Sequence, residues 1–275
     1  SDVCSSDLMS AFGALTLACS LAANAQNAVD AVKKAQYALG MIRSPQRIDA
    51  IGTMEYWGTG SAYSYGQQFK PDGAWPPMKV TYHASISYQV PAMRVDMMRS
   101  NPDGPYQGGG GLPFVAPQRQ VQVVSGGVSW NEPVPGGGFI KGTTATPAPG
   151  TVEERMLQFW STPHGSLKAA ALAGANTKVT TENGRTVLTF PLPGSLSAVN
   201  MKITLNAKDQ PEKIEVRRDD PVLGDIVAET VYTDYKNLDE IQTDVLFPAH
   251  ITQSLGGFPM LDLTDRKSTR LNSSH

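Results

Sequence analysis

Between Lys79 and Val90 the chain alternates without a break. Val80, Tyr82, Ala84, Ile86, Tyr88 and Val90 fall on one side; Lys79, Thr81, His83, Ser85, Ser87 and Gln89 fall on the other. A period of two over this length predicts an extended strand with one face in a core and the other in water. The same period marks Arg47 to Trp57, where Ile48, Ala50, Met54 and Tyr56 oppose Arg47, Asp49, Thr53 and Glu55, and it continues through Met93 to Arg99 and Gln120 to Trp130.

Further along, Asn183-Gly184 is a two-residue hairpin signal between Thr177 to Thr181 and Arg185 to Phe190. Lys208 to Pro211 joins Asn200 to Ala207 with Glu212 to Arg218. Ile226 to Tyr235 follows, and His250 to Thr264 turns at Gly256-Gly257. With 26 Gly and 20 Pro in 275 residues, many turns between many short strands are expected.

Helices are predicted at two places. Ala28, Val32, Ala35 and Leu39 recur at helical spacing and Gly40 is placed to end that helix. Thr151 with Glu154 forms a capping-box pattern opening Val152 to Trp160, and Thr162-Pro163 opens a second helix that Gly174 ends, giving a helical insert over 151–174. Two Gly- and Pro-rich connections, Asn101 to Gln118 and Glu132 to Gly150, read as surface loops. No βαβ alternation occurs. The expected class is α+β: a large curved antiparallel sheet, a half-open barrel, with an N-terminal helix and a two-helix insert.

The ends stand apart from this pattern. Residues 1–8 and 265–275 resemble translated sequencing-adapter sequence. Met9 to Ala25 is an apolar, small-residue run closing on Ala23-Asn24-Ala25, as in a signal peptide cleaved after Ala25, although the positive segment expected before it is missing. The expectation is therefore a single domain over 26–264, periplasmic or secreted, with no transmembrane segment in the mature chain. Cys4 and Cys19 both lie ahead of that domain, so no disulfide or cysteine-based metal site is expected within it.

Composition narrows the partners. A net charge of -2 and 17% charged residues give no basic footprint for nucleic acid, and 40% hydrophobic residues argue against disorder. His83, His164 and His250 show no metal-ligand spacing. Gly58-Thr59-Gly60 lacks the third glycine of a dinucleotide site, and Ala62 to Gly66 lacks the first glycine of a nucleophile elbow. Both read as turns. Glu153-Glu154 in a first helical turn and Asp219-Asp220 in a turn before Pro221 have structural explanations. What remains is an aromatic enrichment. Tyr56, Tyr82 and Tyr88 on apolar strand faces, with Trp130 and Trp160, are the candidate ligand-binding residues, for a curved sheet under helices can enclose an apolar molecule.

The runs Gln122 to Asn131, Leu157 to Gly165, Asp220 to Asp225 and Gly256 to Leu263, in this order, resemble the region preceding the hydrolase domain in secreted bacterial MBL-fold (metallo-β-lactamase-like) proteins. The resemblance spans 26–264. It implies a non-catalytic module for substrate recognition, docking or dimerisation, whose partner is a downstream hydrolase domain of the same polypeptide. The family's His-x-His-x-Asp-His zinc motif is absent, so no catalytic or metal residue is carried over, and zinc is expected only in that further domain. In architecture the segment is also similar to periplasmic lipoprotein carrier and sorting proteins. That similarity implies the alternative, a free-standing periplasmic carrier for a lipid or other apolar ligand. Under either reading an apolar small molecule or a homodimer partner is expected as well.

Overall fold

The computed structural model describes residues 27–42, 49–68, 70, 73–104, 112–134, 145–220, 223–237 and 245–269, with the side chains of 265–269 excepted. The expected signal segment, residues 1–8 and the Gly-rich centres of both long loops lie outside these residues.

The protein is α+β. Thirteen strands form one open antiparallel sheet: β1 Thr53–Tyr63, β2 Pro77–Ser87, β3 Ala92–Ser100, β4 Gln118–Ser125, β5 Val128–Glu132, β6 Thr146–Pro147, β7 Lys178–Glu182, β8 Arg185–Pro191, β9 Asn200–Leu205, β10 Pro211–Asp220, β11 Gly224–Lys236, β12 Phe247–Leu255 and β13 Phe258–Thr269. The spatial order is β6-β5-β4-β3-β2-β1-β13-β12-β11-β10-β9-β8-β7. Two meanders therefore run outward from a central β1–β13 pair. Among the described residues three α-helices accompany the sheet: α1 over 27–38, α2 Val152–Trp160 and α3 Pro163–Ala173. The last two connect β6 to β7, the opposite edges of the sheet.

Burial follows the alternation. On β2, Met78, Val80, Tyr82, Ala84 and Ile86 are buried, while Lys79 and Thr81 are exposed. The strand stops at Ser87, short of the alternation that runs on to Val90, because Tyr88 to Pro91 turn the chain into β3. Gln120 to Trp130 is two strands, not one: Gly126 and Gly127, both at positive φ, make a hairpin of β4 and β5.

Three local expectations are corrected. Gly58 and Gly60 lie inside β1 rather than in a turn; a Cβ on Gly60 would stand 1.8 Å from the Asp262 carbonyl oxygen, so close backbone approach to β13 explains the glycine. Asp219 and Asp220 end β10, opposite Asp225 and Gly224. Thr151 does not cap α2 through its side chain. Its hydroxyl instead donates to the Ala148 carbonyl at 2.9 Å, closing a 3₁₀ turn ahead of the helix. Thr162 does cap α3, accepting from the Gly165 amide at 3.2 Å.

One continuous core joins α1, α2 and α3 to the inner sheet face. It includes Val32, Ala35 and Leu39 from α1, Phe159 and Trp160 from α2, Leu167 from α3, and Met54, Ile86, Ile203, Val216 and Leu263 from the strands. The Lys34–Asp209 pair at 3.0 Å ties α1 to the β9–β10 turn. The outer face carries charge pairs between strands, among them Arg94 with Glu132, which reaches from β3 across β4 to β5, and Arg119 with Asp96 on the adjacent β4 and β3. That last contact holds the Asp96 carboxyl below its usual range.

Candidate functional site

A cleft of about 1040 Å³ lies between α2 and the inner sheet face. Its walls come from β4, β3, β2, β1, β13, β12, β11 and β10, eight successive strands of the sheet. In a flat sheet β4 and β10 would stand roughly 34 Å apart, seven spacings of about 4.8 Å. Sharing one cleft with a single helix requires the sheet to curl, and the helix pair lies in the hollow.

The α2–α3 hairpin is fastened across that hollow by six hydrogen bonds, made by the side chains of Arg155, Gln158, Tyr232 and Tyr88. Arg155, buried at 6% exposure, donates to the Val123 and Trp130 carbonyls at 3.0 and 2.7 Å and to Asn131 Oδ1 at 2.7 Å. Burial lowers its pKa, and the three acceptors replace lost water. Gln158 donates to the Tyr82 hydroxyl at 2.8 Å. The Tyr232 hydroxyl donates to the Ser161 carbonyl, and Tyr88 shares a 3.0 Å hydrogen bond with Thr162. The two halves of the sheet thus hold the same helical hairpin.

The cleft changes character along the strands. At the end where β2 stops and β12 begins it is filled with rings. Tyr56 stacks on Tyr82 at 5.6 Å and contacts Phe247 at 4.9 Å, while Tyr88 and Trp160 flank Phe159. Desolvation pushes the Tyr82 phenol up to about 12 and raises those of Tyr88 and Tyr232 as well. Towards the other end the wall is aliphatic and thioether: Val95 and Met97 on β3, Leu157 on α2, Ile214 on β10, Leu255 on β12 and Met260 on β13. A polar row of Gln118, Gln120 and Gln122 from β4 lies opposite Arg99, Met97 and Val95. Beyond it a satellite core of Trp75, Phe258, Ile226 and Leu255 closes the flank, and Tyr65 bonds Asp220 at 2.5 Å.

Of the five residues expected to bind a ligand, Tyr82 lines the cleft. Tyr56, Tyr88 and Trp160 stand behind it in the packed core. Trp130 lies on β5 towards the sheet edge, and its carbonyl anchors Arg155. Missed from the sequence were Met97, Arg99, Leu157, Gln158 and Arg218. A signal for two of them exists: Arg99 continues the Met93, Val95, Met97 face of β3, and Arg218 continues the Ile214, Val216 face of β10. A guanidinium at core parity is unusual.

The histidines are dispersed. His83 stacks on Trp57 at 4.5 Å on the outer face. His250 sits between Thr233 Oγ1 at 3.3 Å and Asp262 Oδ1 at 2.8 Å. That Thr-His-Asp row lies across the paired strands β11, β12 and β13. His164 is fully buried in α3, its ring parallel to Phe247 at 6.0 Å. Among the described residues no group of three or more His, Cys, Asp or Glu side chains could hold a metal ion.

No protein-family model matches the chain, and no curated protein matches its sequence.

Proposed function

We propose that the domain is a binding module for a molecule with an apolar chain, held between the curled sheet and α2. The carrying observation is the cleft: about 1040 Å³ whose apolar wall is Val95, Met97, Leu157, Ile214, Leu255 and Met260, shared with polar side chains such as Gln120, Gln122, Gln158 and Thr230. Pockets for small ligands run to about 300–1,000 Å³ and are mostly apolar with a few polar groups fixing orientation. An aliphatic and thioether lining suits a flexible hydrocarbon, because methionine adapts to irregular shapes. The proposal includes action in the periplasm or outside the cell, supported by the signal-like run Met9 to Ala25. As the recognition module of a longer MBL-fold hydrolase, the reading suggested by the ordered motifs, the same cleft would select the substrate.

The test uses N-phenyl-1-naphthylamine, a neutral apolar fluorophore. Saturable one-to-one binding is expected in the full chain, together with co-purified apolar ligand in native mass spectra. Met97→Trp and Gln120→Trp, which fill the cleft from β3 and β4, should each abolish both while leaving the circular dichroism unchanged. Absence of saturable binding and of any adduct in the folded wild-type protein would overturn the reading.

A further inference from the structure

Resting on that binding reading, we infer that the ligand is an anionic amphiphile: one apolar chain along the cleft and a negatively charged head group held between Arg99 and Arg218.

Both arginines line the cleft. They come from opposite walls, β3 and β10, yet antiparallel pairing brings them to one end. Arg99 is next to last in β3, and Arg218 stands two residues before the end of β10. The starts of β2, β4, β11 and β13 lie at that same end of the sheet. Each guanidinium therefore terminates an apolar row, Met93-Val95-Met97 on one wall and Ile214-Val216 on the other.

Part of their hydrogen-bonding capacity is unspent. Arg99 Nε and Arg218 Nε are both sealed from solvent with no hydrogen-bond partner. Among the described residues no carboxylate reaches Arg99 within ion-pair distance. A desolvated donor without an acceptor costs about 1–3 kcal/mol, more when charged, so such groups call for an explanation. Arg218 does meet a carboxylate, its Nη2 lying 3.5 Å from the oxygen. That carboxylate, Asp220, is itself held by the Tyr65 hydroxyl at 2.5 Å and the Leu223 amide at 2.9 Å.

The other acids near the cleft are engaged or remote from its depth. Glu229 is paired with Lys213 at 3.3 Å, and Glu154 is exposed in the first turn of α2. Around the arginines stand neutral donors, Gln118 directly opposite Arg99 in register and Gln120 one pair deeper. Two forked cations and two amides at the end of an apolar trough complement a carboxylate or phosphate head, and a guanidinium binds either in bidentate fashion. The lipid chain would lie inward towards Tyr82.

Three probes of similar apolar chain separate charge recognition from chain binding: cis-parinaric acid, its methyl ester, and an alkyltrimethylammonium salt as competitor, all at pH 8. The acid should bind at least about tenfold more tightly than the ester, and the ammonium salt should compete no better than the ester. Arg99→Gln and Arg218→Gln should each weaken the acid about tenfold and leave the ester unchanged; Arg99→Lys should recover part of the acid affinity. Equal binding of acid and ester to the wild type, or acid binding unaffected in the double Gln variant, overturns the anionic head group while leaving chain binding intact. Failure of every probe to bind the folded protein overturns the binding reading itself.

Discussion

Acidification should find a weak point at His164. The imidazole has no exposed surface, and neither of its nitrogens has a hydrogen-bond partner among the described residues. Burial, and then the Lys168 charge one turn along α3, push its pKa from 6.5 down to about 3. Between those values the unfolded chain binds a proton that the folded chain refuses. The stability that comes from a neutral His164 is therefore complete above pH 6.5, declines as the pH falls, and levels off only below the folded value. Each pH unit in that window costs about 1.4 kcal/mol, so moving from pH 7.5 to pH 5.0 removes about 2 kcal/mol. His164→Leu isolates this contribution, because other titrating groups are common to both proteins. At pH 7.5 the variant should be at least as stable as the wild type, since it also removes unpaired polar atoms worth about 1–3 kcal/mol. Urea unfolding followed by tryptophan fluorescence at the two pH values measures the difference, with Trp75 and Trp160 as buried reporters. The variant's advantage should grow by about 2 kcal/mol at pH 5.0. An advantage independent of pH, or an imidazole resonance titrating near pH 6.5 in the folded protein, would refute the reasoning.

Arg155→Met should lower stability by about 3 kcal/mol in urea unfolding, because it leaves the carbonyls of Val123 and Trp130 and the Asn131 side chain without their donor; limited proteolysis should then cut first around α2. Gly60→Ala should cost more than about 3 kcal/mol in thermal unfolding through its collision with the Asp262 carbonyl, whereas Gly150→Ala, whose new Cβ meets nothing within 4 Å, should change stability by less than about 0.5 kcal/mol. Asp234 adopts a φ of 56° within β11, so Asp234→Gly should raise the unfolding midpoint, corresponding to at most about 1 kcal/mol.

Strand identity was legible wherever one face meets water. The β2 alternation, the Asn183-Gly184 turn at φ values of 51° and 76°, and the Thr162-Pro163 helix start all carry their geometry in short-range chemistry. Glycine was ambiguous: a turn residue at Gly126-Gly127, it marks backbone crowding at Gly60, and the crowding neighbour, Asp262, is about 200 residues away. The same distance explains the site. Aromatic content pointed to Tyr56, Tyr82 and Tyr88; Tyr82 lines the open volume, while Tyr56 and Tyr88 pack in the core behind it and smaller, more pliable side chains supply much of the remaining wall. Arg99 and Arg218 each broke an apolar row in plain view, yet that they share one end of one cleft depends on the order of strands, which no local pattern encodes.

The pairing of β1 with β13 also governs how the chain must fold. As synthesis proceeds, β1 to β6 can zip together by successive hairpins, but the free side of β1 stays a row of unpaired amides and carbonyls until β13 emerges, about 200 residues later. Joining the two halves of the sheet therefore waits on a contact between distant parts of the sequence, which makes folding slow and leaves that edge open to strands of other chains in the interval. A circular permutant that keeps α1, joins residue 269 to residue 27 by a linker and opens the chain between β6 and α2, would bring β13 ahead of β1 with only α1 and the segment after it between them. Its refolding should be faster than that of the natural order.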